Sequence, residues 1–419
     1  MKVSINKSDL KGRVAAPPSK SYTIRGLMLA ALAKGESRII NPLGSDDTEA
    51  TLDVLEQVGI KIKRERNGWQ VSGGHFHKPG EELFCRDSAA TLRFMTAICS
   101  HIPGRCRLVP GPSLAQRPIK PLLQALGQLG VNGHTEGNSV VVDGGRLKGG
   151  TVEIAGDISS QFISALLFIA PLAEEGVTIR LTSPPESKPY LLMTLACLDR
   201  FGIKIDSSAD LRQFEVSRQR YRPTDYRVEG DWSSASYLLA LGAISGPVAV
   251  TNLNRESLQG DKIMLNLLTD MGARVTLSRD TVTVARSRLK AITADLSQSI
   301  DLLPTMAALA ALADGVSVLK GIGRARLKES NRVLAVGDGL VRMGIRVTEE
   351  TDRLIIIGGE PRGSLIDSHN DHRIAMAFSI LGLAVGGTTI DRAECVAKTY
   401  PDFWATLKRI GGEVETYGQ

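Results

Sequence analysis

The stretch DVLEQVGIKI at residues 53–62 reads as the end of an amphipathic helix that stops at Gly59 and turns into a strand. The pattern returns five times, as LLQALGQLGVNG (122–133), LACLDRFGIKI (195–205), LNLLTDMGARV (265–275), VGDGLVRMGIRV (336–347) and WATLKRIGGEV (404–414). The glycines that end these helices, about 70 residues apart, are Gly59, Gly130, Gly202, Gly272, Gly344 and Gly411. This spacing predicts six copies of one unit, each with a helix capped by its glycine.

A second, more apolar helix is predicted in every unit, at residues 21–33, 88–100, 160–173, 233–244, 302–313 and 372–385. These segments are rich in small residues and apolar on all sides, which is typical of a buried helix. A glycine and a strand-like run follow each one, so the unit reads β-α-β-α-β-β. The fold class is therefore α/β. Three units could pack their apolar helices inward and their sheets outward, which gives two inside-out α/β domains of three repeats each.

The chain has 419 residues, which favours two domains rather than one core. We predict an inserted domain of three repeats at residues 18–228. Residues 1–17 and 229–419 would form the other three-repeat domain, which is discontinuous because the opening strand, residues 1–14, completes it. An active site would then lie in the cleft between the domains.

The composition excludes several classes of protein. Hydrophobic residues make up 42% of the chain and charged residues 23%, values typical of a globular protein. The N-terminus MKVSINKSDLKG lacks the apolar core of a secretory signal, and no apolar stretch is long enough to cross a membrane, so we expect a cytoplasmic protein. The five cysteines form no CxxC pair and the six histidines no HExxH motif, so we predict no metal and no cofactor.

Cationic residues recur near the predicted helix starts. A helix N-terminus carries a partial positive charge, so a Lys or Arg there indicates a bound anion that offsets the repulsion. The residues are Lys20, Arg25, Arg93, Arg117, Lys328, Arg332, Arg373 and Lys398. The net charge is +6, but the sequence contains no run of five basic residues. This distribution favours small anionic substrates over nucleic acid or a membrane. We expect the protein to act as a monomer.

Polar residues accompany these cations. Ser159, Ser160 and Gln161 precede an apolar helix, and three polar side chains exceed what one helix cap needs. Ser233 and Ser234 stand at the equivalent place in the fourth unit, where we interpret them as structural caps. Asp301 and Glu329 lie at predicted helix starts and would be the general acid and base of a cationic cleft. The residues alone thus predict an enzyme for small, multiply charged anions.

Eight segments resemble, in order, the motifs of the 5-enolpyruvylshikimate-3-phosphate synthases. They are PPSKSYTIR (17–25), GPSLAQRPI (111–119), GDISSQFISALL (156–167), SKPY (187–190), EGDWSSASY (229–237), RLKESNR (326–332), NDHRIAM (370–376) and AKTYPDF (397–403). The resemblance implies the fold of two inside-out α/β domains. It also implies transfer of the enolpyruvyl group of phosphoenolpyruvate to the 5-hydroxyl of shikimate 3-phosphate, through a tetrahedral intermediate that loses phosphate.

The resemblance further implies site residues. Those implied for shikimate 3-phosphate are Lys20, Ser21, Arg25, Ser159, Ser160, Gln161, Ser187, Tyr190, Asp301 and Lys328. Those implied for phosphoenolpyruvate are Lys20, Ala89, Arg117, Gln161, Arg332, Arg373 and Lys398. Asp301 would take the proton of the attacking hydroxyl, and Glu329 with Lys20 would handle protonation of the methylene carbon.

Three positions depart from the family pattern. Asp87 stands in place of an Asn, Ala89 in place of a Gly that lies against phosphoenolpyruvate, and Arg324 where some members have Asn. Glyphosate, an inhibitor of this family, occupies the phosphoenolpyruvate site and is longer than the substrate. The methyl group of Ala89 therefore predicts glyphosate tolerance.

Two other functions agree with parts of the sequence. A UDP-N-acetylglucosamine enolpyruvyl transferase would share the fold, but it usually carries Cys or Asp in the loop that here reads GPSLAQ (111–116). An RNA-binding or RNA-end-processing protein would explain the basic charge and would bind less tightly as salt rises. That function leaves Asp301 and Glu329 without a role.

Overall fold

The structure is a computed structural model that describes residues 1–66 and 68–418. Its α-helices are α1 (Lys20–Leu32), α2 (Asp46–Gln57), α3 (Ala89–Ile98), α4 (Lys120–Gln128), α5 (Ser160–Ile169), α6 (Lys188–Arg200), α7 (Trp232–Ile244), α8 (Met264–Asp270), α9 (Leu303–Ala311), α10 (Arg332–Arg342), α11 (His372–Val385) and α12 (Phe403–Arg409). Single 3₁₀ turns are Cys99–His101, Ala170–Leu172, Gly260–Ile263, Ile300–Leu302, Gly323–Leu327 and Ala393–Lys398.

The first twelve strands are β1 (Lys2–Ile5), β2 (Gly12–Ala15), β3 (Gly35–Ile40), β4 (Lys61–Glu65), β5 (Gly68–Gly73), β6 (Leu83–Phe84), β7 (Gly104–Val109), β8 (Asn132–Glu136), β9 (Ser139–Gly144), β10 (Gly150–Ile154), β11 (Val177–Leu181) and β12 (Asp206–Ser207). The others are β13 (Gln213–Val216), β14 (Asp225–Arg227), β15 (Val248–Thr251), β16 (Arg274–Ser278), β17 (Thr281–Ala285), β18 (Thr293–Asp295), β19 (Val316–Lys320), β20 (Arg346–Glu349), β21 (Arg353–Ile357), β22 (Leu365–Asp367), β23 (Thr388–Asp391) and β24 (Val414–Tyr417).

These strands form six four-stranded sheets within the described residues. Their strand orders are β14-β3-β5-β4, β6-β7-β9-β8, β10-β11-β13-β12, β16-β17-β15-β2, β18-β19-β21-β20 and β22-β23-β1-β24. In every sheet one edge pair is parallel, such as β10 with β11, and the remaining pairs are antiparallel. A parallel pair needs a crossover connection, which a buried helix such as α5 provides between β10 and β11. The predicted β-α-β-α-β-β unit is thereby confirmed.

The helix ends also agree with the sequence analysis. All six repeat glycines, from Gly59 to Gly411, have positive φ angles between 81° and 100°. An L-residue rarely adopts this conformation, so glycine ends each helix and lets the chain turn into the next strand.

The chain divides into two compact units. Unit 1 comprises Met1–Pro17 and Glu229–Gln419, and unit 2 comprises Pro18–Val228. In unit 2 the nearly all-buried helices α1, α3 and α5 lie inside, and the core contains residues such as Phe94 and Phe168, whose rings meet edge to face at 4.8 Å. In unit 1 the helices α7, α9 and α11 occupy the same positions, around residues such as Trp232 and Phe378. Each unit therefore has its own apolar core.

The structure corrects two details of the predicted elements. The opening strand is two strands, because β1 pairs with β23 and β24 while β2 pairs with β15 in a different sheet. The helix predicted at 160–173 ends at Ile169 and continues as a 3₁₀ turn. Pro171 lies in that turn and has no N–H to continue the α-helical hydrogen bonds.

Candidate active site

Arg332, the first residue of α10, is surrounded by carboxylates in unit 1. Its Nε and Nη2 donate to Asp371 at 2.7 and 3.2 Å, its Nη1 to Asp301 at 2.7 Å, and its Nη2 to Glu329 at 2.6 Å. The side chain is 1% exposed. Burial disfavours the charged guanidinium, but Asp371, Glu329 and Asp301 together raise the pKa of Arg332 above its ordinary value. Arg332 therefore stays charged and holds two candidate catalytic carboxylates in place.

Asp301 forms ion pairs with three cationic side chains. It lies in the 3₁₀ turn before α9, and besides Arg332 it pairs with Lys328 at 3.3 Å and Arg373 at 3.2 Å. Burial alone would raise the pKa of Asp301, but Arg373, Lys328 and Arg332 hold it well below its ordinary value. Asp301 is thus ionised at neutral pH and able to accept a proton.

Arg373, the second residue of α11, is also buried and oriented from two sides. Its Nη1 donates to the hydroxyl of Tyr237 at 3.4 Å, and its backbone N–H donates to Asp371, the N-cap residue of α11, at 2.9 Å. Burial raises the pKa of Tyr237 to about 12, so its hydroxyl remains neutral. Arg373 thus presents its guanidinium to Asp301 from a rigid helix start.

Three of the cations predicted near helix starts precede their helices and do not belong to them. Arg117, Lys328 and Lys398 lie in the turns that precede α4, α10 and α12. Pro118 directly follows Arg117, and a residue before proline disfavours the helical conformation. The side chain of Asn331 caps α10 by accepting from the Leu334 N–H at 3.2 Å, so that helix begins after Lys328.

Asp301 and Glu329 likewise precede helices rather than start them, since α9 begins at Leu303 and α10 at Arg332. Lys398 is buried at the end of its 3₁₀ turn. Arg324, one of the departures from the family pattern, donates through Nη2 to the Ser297 carbonyl at 2.8 Å. That contact ties the 3₁₀ turn Gly323–Leu327 to the loop after β18.

In unit 2, Lys20 is the first residue of α1 and pairs with a buried acid. Its Nζ lies 2.7 Å from the Oδ2 of Asp47, which is in the first turn of α2. A carboxylate is favoured at that helix start, so the sequence SDD at 45–47 stabilises both the helix and the lysine. Lys20 is thereby held at the start of α1, with Ser21 half-buried beside it.

Arg25 is buried one turn further along α1. Its Nε donates to Thr194 Oγ1 at 2.9 Å and its Nη2 to the Tyr190 carbonyl at 3.4 Å, both on α6. Its guanidinium also lies over the rings of Phe94 and Tyr190, at 5.5 and 5.9 Å from their centroids. Burial lowers the pKa of Arg25, but a guanidinium has so high an ordinary pKa that it keeps its charge.

Arg93 joins two of the predicted polar residues. Its Nη1 donates to Ser159 Oγ at 3.1 Å and to Gln161 Oε1 at 2.8 Å. Ser159 is the N-cap residue of α5 and accepts from the Gln161 N–H at 3.3 Å. Ser160 is the first, buried residue of the same helix. The structure therefore brings Arg93, Ser159, Ser160 and Gln161 together at one helix start, where an anion is favoured.

Ser187 and Tyr190 belong to the start of α6. Ser187 is the N-cap residue and adopts a left-handed backbone with φ 54° and ψ 44°. This conformation is uncommon for a residue other than glycine and is often found at functional sites. Tyr190 is half-buried, and its carbonyl accepts hydrogen bonds from Arg25 and from Thr194.

Asp87 and Ala89 flank the N-cap residue of α3. Asp87 Oδ1 accepts from the Leu114 N–H at 3.0 Å, which fastens the loop that carries Arg117. Ala89 is the first residue of α3 and is largely buried.

Several residues near the site were missed by sequence reasoning. Asp371 and Tyr237 belong to the motifs NDHRIAM and EGDWSSASY, but the sequence did not indicate their contacts with Arg332 and Arg373. Asp47 could have been found from the run of acids at the start of α2. Asp261 gave no signal, because it lies in the short 3₁₀ turn Gly260–Ile263.

Ser233 does not cap its helix. Asp231 caps α7 by accepting from the Ser234 N–H at 2.7 Å, whereas Ser233 donates its hydroxyl to Asp261. The interpretation of the Ser233–Ser234 pair as caps is therefore wrong: the carboxylate of Asp231 already serves the exposed N–H groups.

The described part of the chain holds neither a cluster of metal ligands nor a membrane-spanning helix. No three His, Cys, Asp or Glu residues in it are grouped as metal ligands. None of its helices has the length and apolar character required for a membrane span.

The family model for EPSP synthase (3-phosphoshikimate 1-carboxyvinyltransferase) matches residues 5–407. A curated relative from Dehalococcoides mccartyi strain 195, named 3-phosphoshikimate 1-carboxyvinyltransferase, is 54% identical over 416 residues, which are 99% of each chain. A relative of the same name from Methanocaldococcus jannaschii is 40% identical over 98% of each chain.

Solved structures show the same fold. An EPSP synthase from Acinetobacter baumannii superposes with a TM-score of 0.83 and 27% identity, over 99% of this chain and all of that one. The enolpyruvyl transferase NikO from Streptomyces tendae, at 20% identity, shares the fold with a TM-score of 0.82 over 100% of this chain and 99% of that one. By its sequence and its fold, this chain belongs to the EPSP synthase family.

Proposed function

We propose that this chain transfers the enolpyruvyl group of phosphoenolpyruvate to the 5-hydroxyl of shikimate 3-phosphate and releases inorganic phosphate. The observation that carries the proposal is the cluster around Asp301, in which Arg332, Arg373 and Lys328 surround one ionised carboxylate. Such a cluster suits two anionic substrates whose reaction begins with removal of a proton. The names of the curated relatives support the same reaction.

The acceptor would be held by cations and by short polar side chains. The residues proposed for shikimate 3-phosphate are Lys20, Ser21, Arg25, Ser159, Ser160, Gln161, Ser187, Tyr190, Asp301 and Lys328. In unit 2 the helix start at Ser159 and the adjacent Arg93 supply hydrogen-bond donors and positive charge, which suit a phosphate group. The hydroxyls of Ser159 and Ser160 add partners for the ring hydroxyls.

Phosphoenolpyruvate would be held mainly by guanidinium and ammonium groups. The residues proposed are Lys20, Ala89, Arg117, Gln161, Arg332, Arg373 and Lys398. Because Arg332 already binds Asp371, Asp301 and Glu329, a substrate carboxylate must replace one of these contacts. We therefore assign two roles to Arg332: it binds the substrate, and its hydrogen bonds fix the positions of the Asp301 and Glu329 carboxylates.

The first chemical step is an addition. Asp301 accepts the proton of the 5-hydroxyl while the hydroxyl oxygen forms a bond to C2 of phosphoenolpyruvate. Lys20 or Glu329 delivers a proton to C3, which becomes a methyl group. The cations stabilise the negative charge by fixed orientation rather than by rearrangement.

The second step is an elimination. A proton leaves C3 of the tetrahedral intermediate to Glu329, the C2–C3 double bond re-forms, and the C2–O bond to phosphate breaks. Phosphate departs with the electron pair of that bond. Glu329 can receive this proton because its carboxylate is held by a hydrogen bond from Arg332.

A phosphate-release assay tests the proposal. Phosphate should appear only when phosphoenolpyruvate and shikimate 3-phosphate are both present, and not with shikimate or UDP-N-acetylglucosamine as the acceptor. Release with UDP-N-acetylglucosamine would instead identify the related transferase. Failure to release phosphate with phosphoenolpyruvate and shikimate 3-phosphate together would refute the proposal.

A further inference from the structure

Asp261 is a buried carboxylate to which the proposed reaction gives no role. It lies in the 3₁₀ turn Gly260–Ile263 of unit 1 and is 3% exposed. Its Oδ2 accepts a hydrogen bond from the hydroxyl of Ser233 on α7. Burying a carboxylate lowers the stability of the protein unless nearby charges and hydrogen bonds compensate for the lost hydration.

Helix α7 carries both the side chain that holds Asp261 and one that contacts Arg373, the candidate for binding phosphoenolpyruvate. Ser233 and Tyr237 are four residues apart on α7 and therefore project from the same face. Ser233 holds Asp261, and Tyr237 accepts from Arg373 Nη1 at 3.4 Å. Arg373 in turn donates through Nη2 to Asp301 at 3.2 Å. The guanidinium of Arg373 thus links Asp301 to the face of α7 that holds Asp261.

Three charged side chains act most strongly on Asp261, whereas the Nζ of its neighbour Lys262 donates to the Arg255 carbonyl at 2.9 Å. Asp231 lies at the start of α7, Asp301 in the turn before α9, and Arg373 at the start of α11. Helix α8, which follows Asp261, carries its one charged residue, Asp270, at its far, exposed end. Burial and then Asp301 raise the pKa of Asp261 to about 6, against the opposing effects of Arg373 and Ser233.

We propose that Asp261 is a positioning residue: its negative charge attracts Arg373, which the Tyr237 hydroxyl orients toward Asp301, and makes Asp301 a stronger base. Arg373, Lys328 and Arg332 alone would leave Asp301 so stabilised as an anion that it accepts a proton reluctantly. A second carboxylate nearby offsets this effect, because like charges favour protonation. This inference rests on the proposed function of Asp301.

The variant Asp261→Asn tests the proposal through the pH profile of turnover. In the wild type, kcat should fall below about pH 6, where Asp261 takes up a proton. In the variant, that limb should move to lower pH by at least about one unit. At pH 7.5 its kcat should be lower by roughly 10- to 100-fold, since the base is weaker and Arg373 is misplaced. The KM for phosphoenolpyruvate should rise as well.

A second readout does not depend on turnover. The pKa of Asp261 is raised in the folded protein to about 6, above the value of about 3.9 expected in the unfolded chain. The folded state then binds more protons between these values, so this group destabilises the protein as pH rises through that window. The melting temperature of Asp261→Asn minus that of the wild type should therefore increase between pH 4 and pH 7.

The variant Ser233→Ala keeps the experiment decisive if Asp261→Asn does not fold. Loss of the Ser233 hydroxyl removes a donor to ionised Asp261, so the acid limb of kcat should move to higher pH. The proposal is overturned if the pH profile is unchanged in every variant that folds. The wild type could also be inactive while the difference in melting temperature between Asp261→Asn and the wild type still depends on pH. That result would refute the proposed function, although Asp261 would still titrate as described.

Discussion

At the scale of single residues, Asp301 and Glu329 are the two groups on which the chemistry depends. We expect Asp301→Asn and Glu329→Gln each to lower kcat by roughly 10²–10⁴-fold, the usual contribution of a positioned acid or base. The amides preserve shape but cannot accept the proton. Rates of phosphate release at saturating substrates measure the effect, and thermal unfolding shows that both variants remain folded. Near-normal turnover in both amides would mean that these carboxylates are only structural.

Ala89 carries the prediction of glyphosate tolerance. Its methyl group, at the first position of α3, should shorten a closely packed pocket, and overpacking costs about 1–3 kcal/mol. We expect Ala89→Gly to lower the glyphosate inhibition constant by roughly 5- to 100-fold, while the KM for phosphoenolpyruvate changes much less. Glycine also weakens the helix start by up to about 1 kcal/mol, which thermal unfolding measures separately. An unchanged inhibition constant would disprove the steric explanation.

The residues that the sequence predicted are those whose type was unusual for their place. Lys20 at a helix start conflicts with local preference, and so does the group of polar residues that includes Ser159 before an apolar helix. Such conflicts indicate functional residues. Asp47 and Asp261 do not, since an acid near a helix start or in a turn is ordinary. Their importance arises from residues distant in the chain, Lys20 and Ser233, and only the fold brings these partners together.

At the scale of elements, the loop at 111–116 depends on Asp87, whose Oδ1 accepts from the Leu114 N–H. Asp87→Asn keeps an acceptor but removes a negative charge from the phosphoenolpyruvate end of the proposed site. We expect the KM for phosphoenolpyruvate to fall several-fold, because one weak repulsion between the carboxylate and the anionic substrate is removed. Asp87→Ala removes the acceptor, so the loop loosens, Arg117 is misplaced and this KM rises. Steady-state kinetics of both variants measure these changes, and identical shifts in the two would contradict the account.

Element ends were predicted well where one residue decides them. The repeat glycines adopt a conformation that other residues avoid, so Gly59 and its equivalents mark helix ends directly. Helix starts were predicted less well, because several residue types can cap a helix. At α7 the cap is Asp231 and not the serine pair that follows it.

At the scale of the whole molecule, each unit has its own core, and the chain enters unit 2 at Pro18 and leaves it at Val228. We therefore expect a fragment of residues 18–228 to unfold cooperatively and to be stabilised by shikimate 3-phosphate without releasing phosphate. A fragment of residues 229–419 is the control, because it lacks β1, which lies between β23 and β24, and it should not fold cooperatively. Calorimetry of both fragments measures this difference. A disordered 18–228 fragment would contradict the description of unit 2 as self-sufficient.

The central claim is that the enolpyruvyl group moves by addition and elimination, which can be tested by running the reaction in D₂O. Protonation turns the methylene carbon into a methyl group before a proton leaves again, so deuterium must enter at that carbon. Mass spectrometry and proton NMR of the product should show an enolpyruvyl ether at the 5-hydroxyl with deuterium in its methylene group. An ether without deuterium, or phosphate release without an ether, would contradict the account.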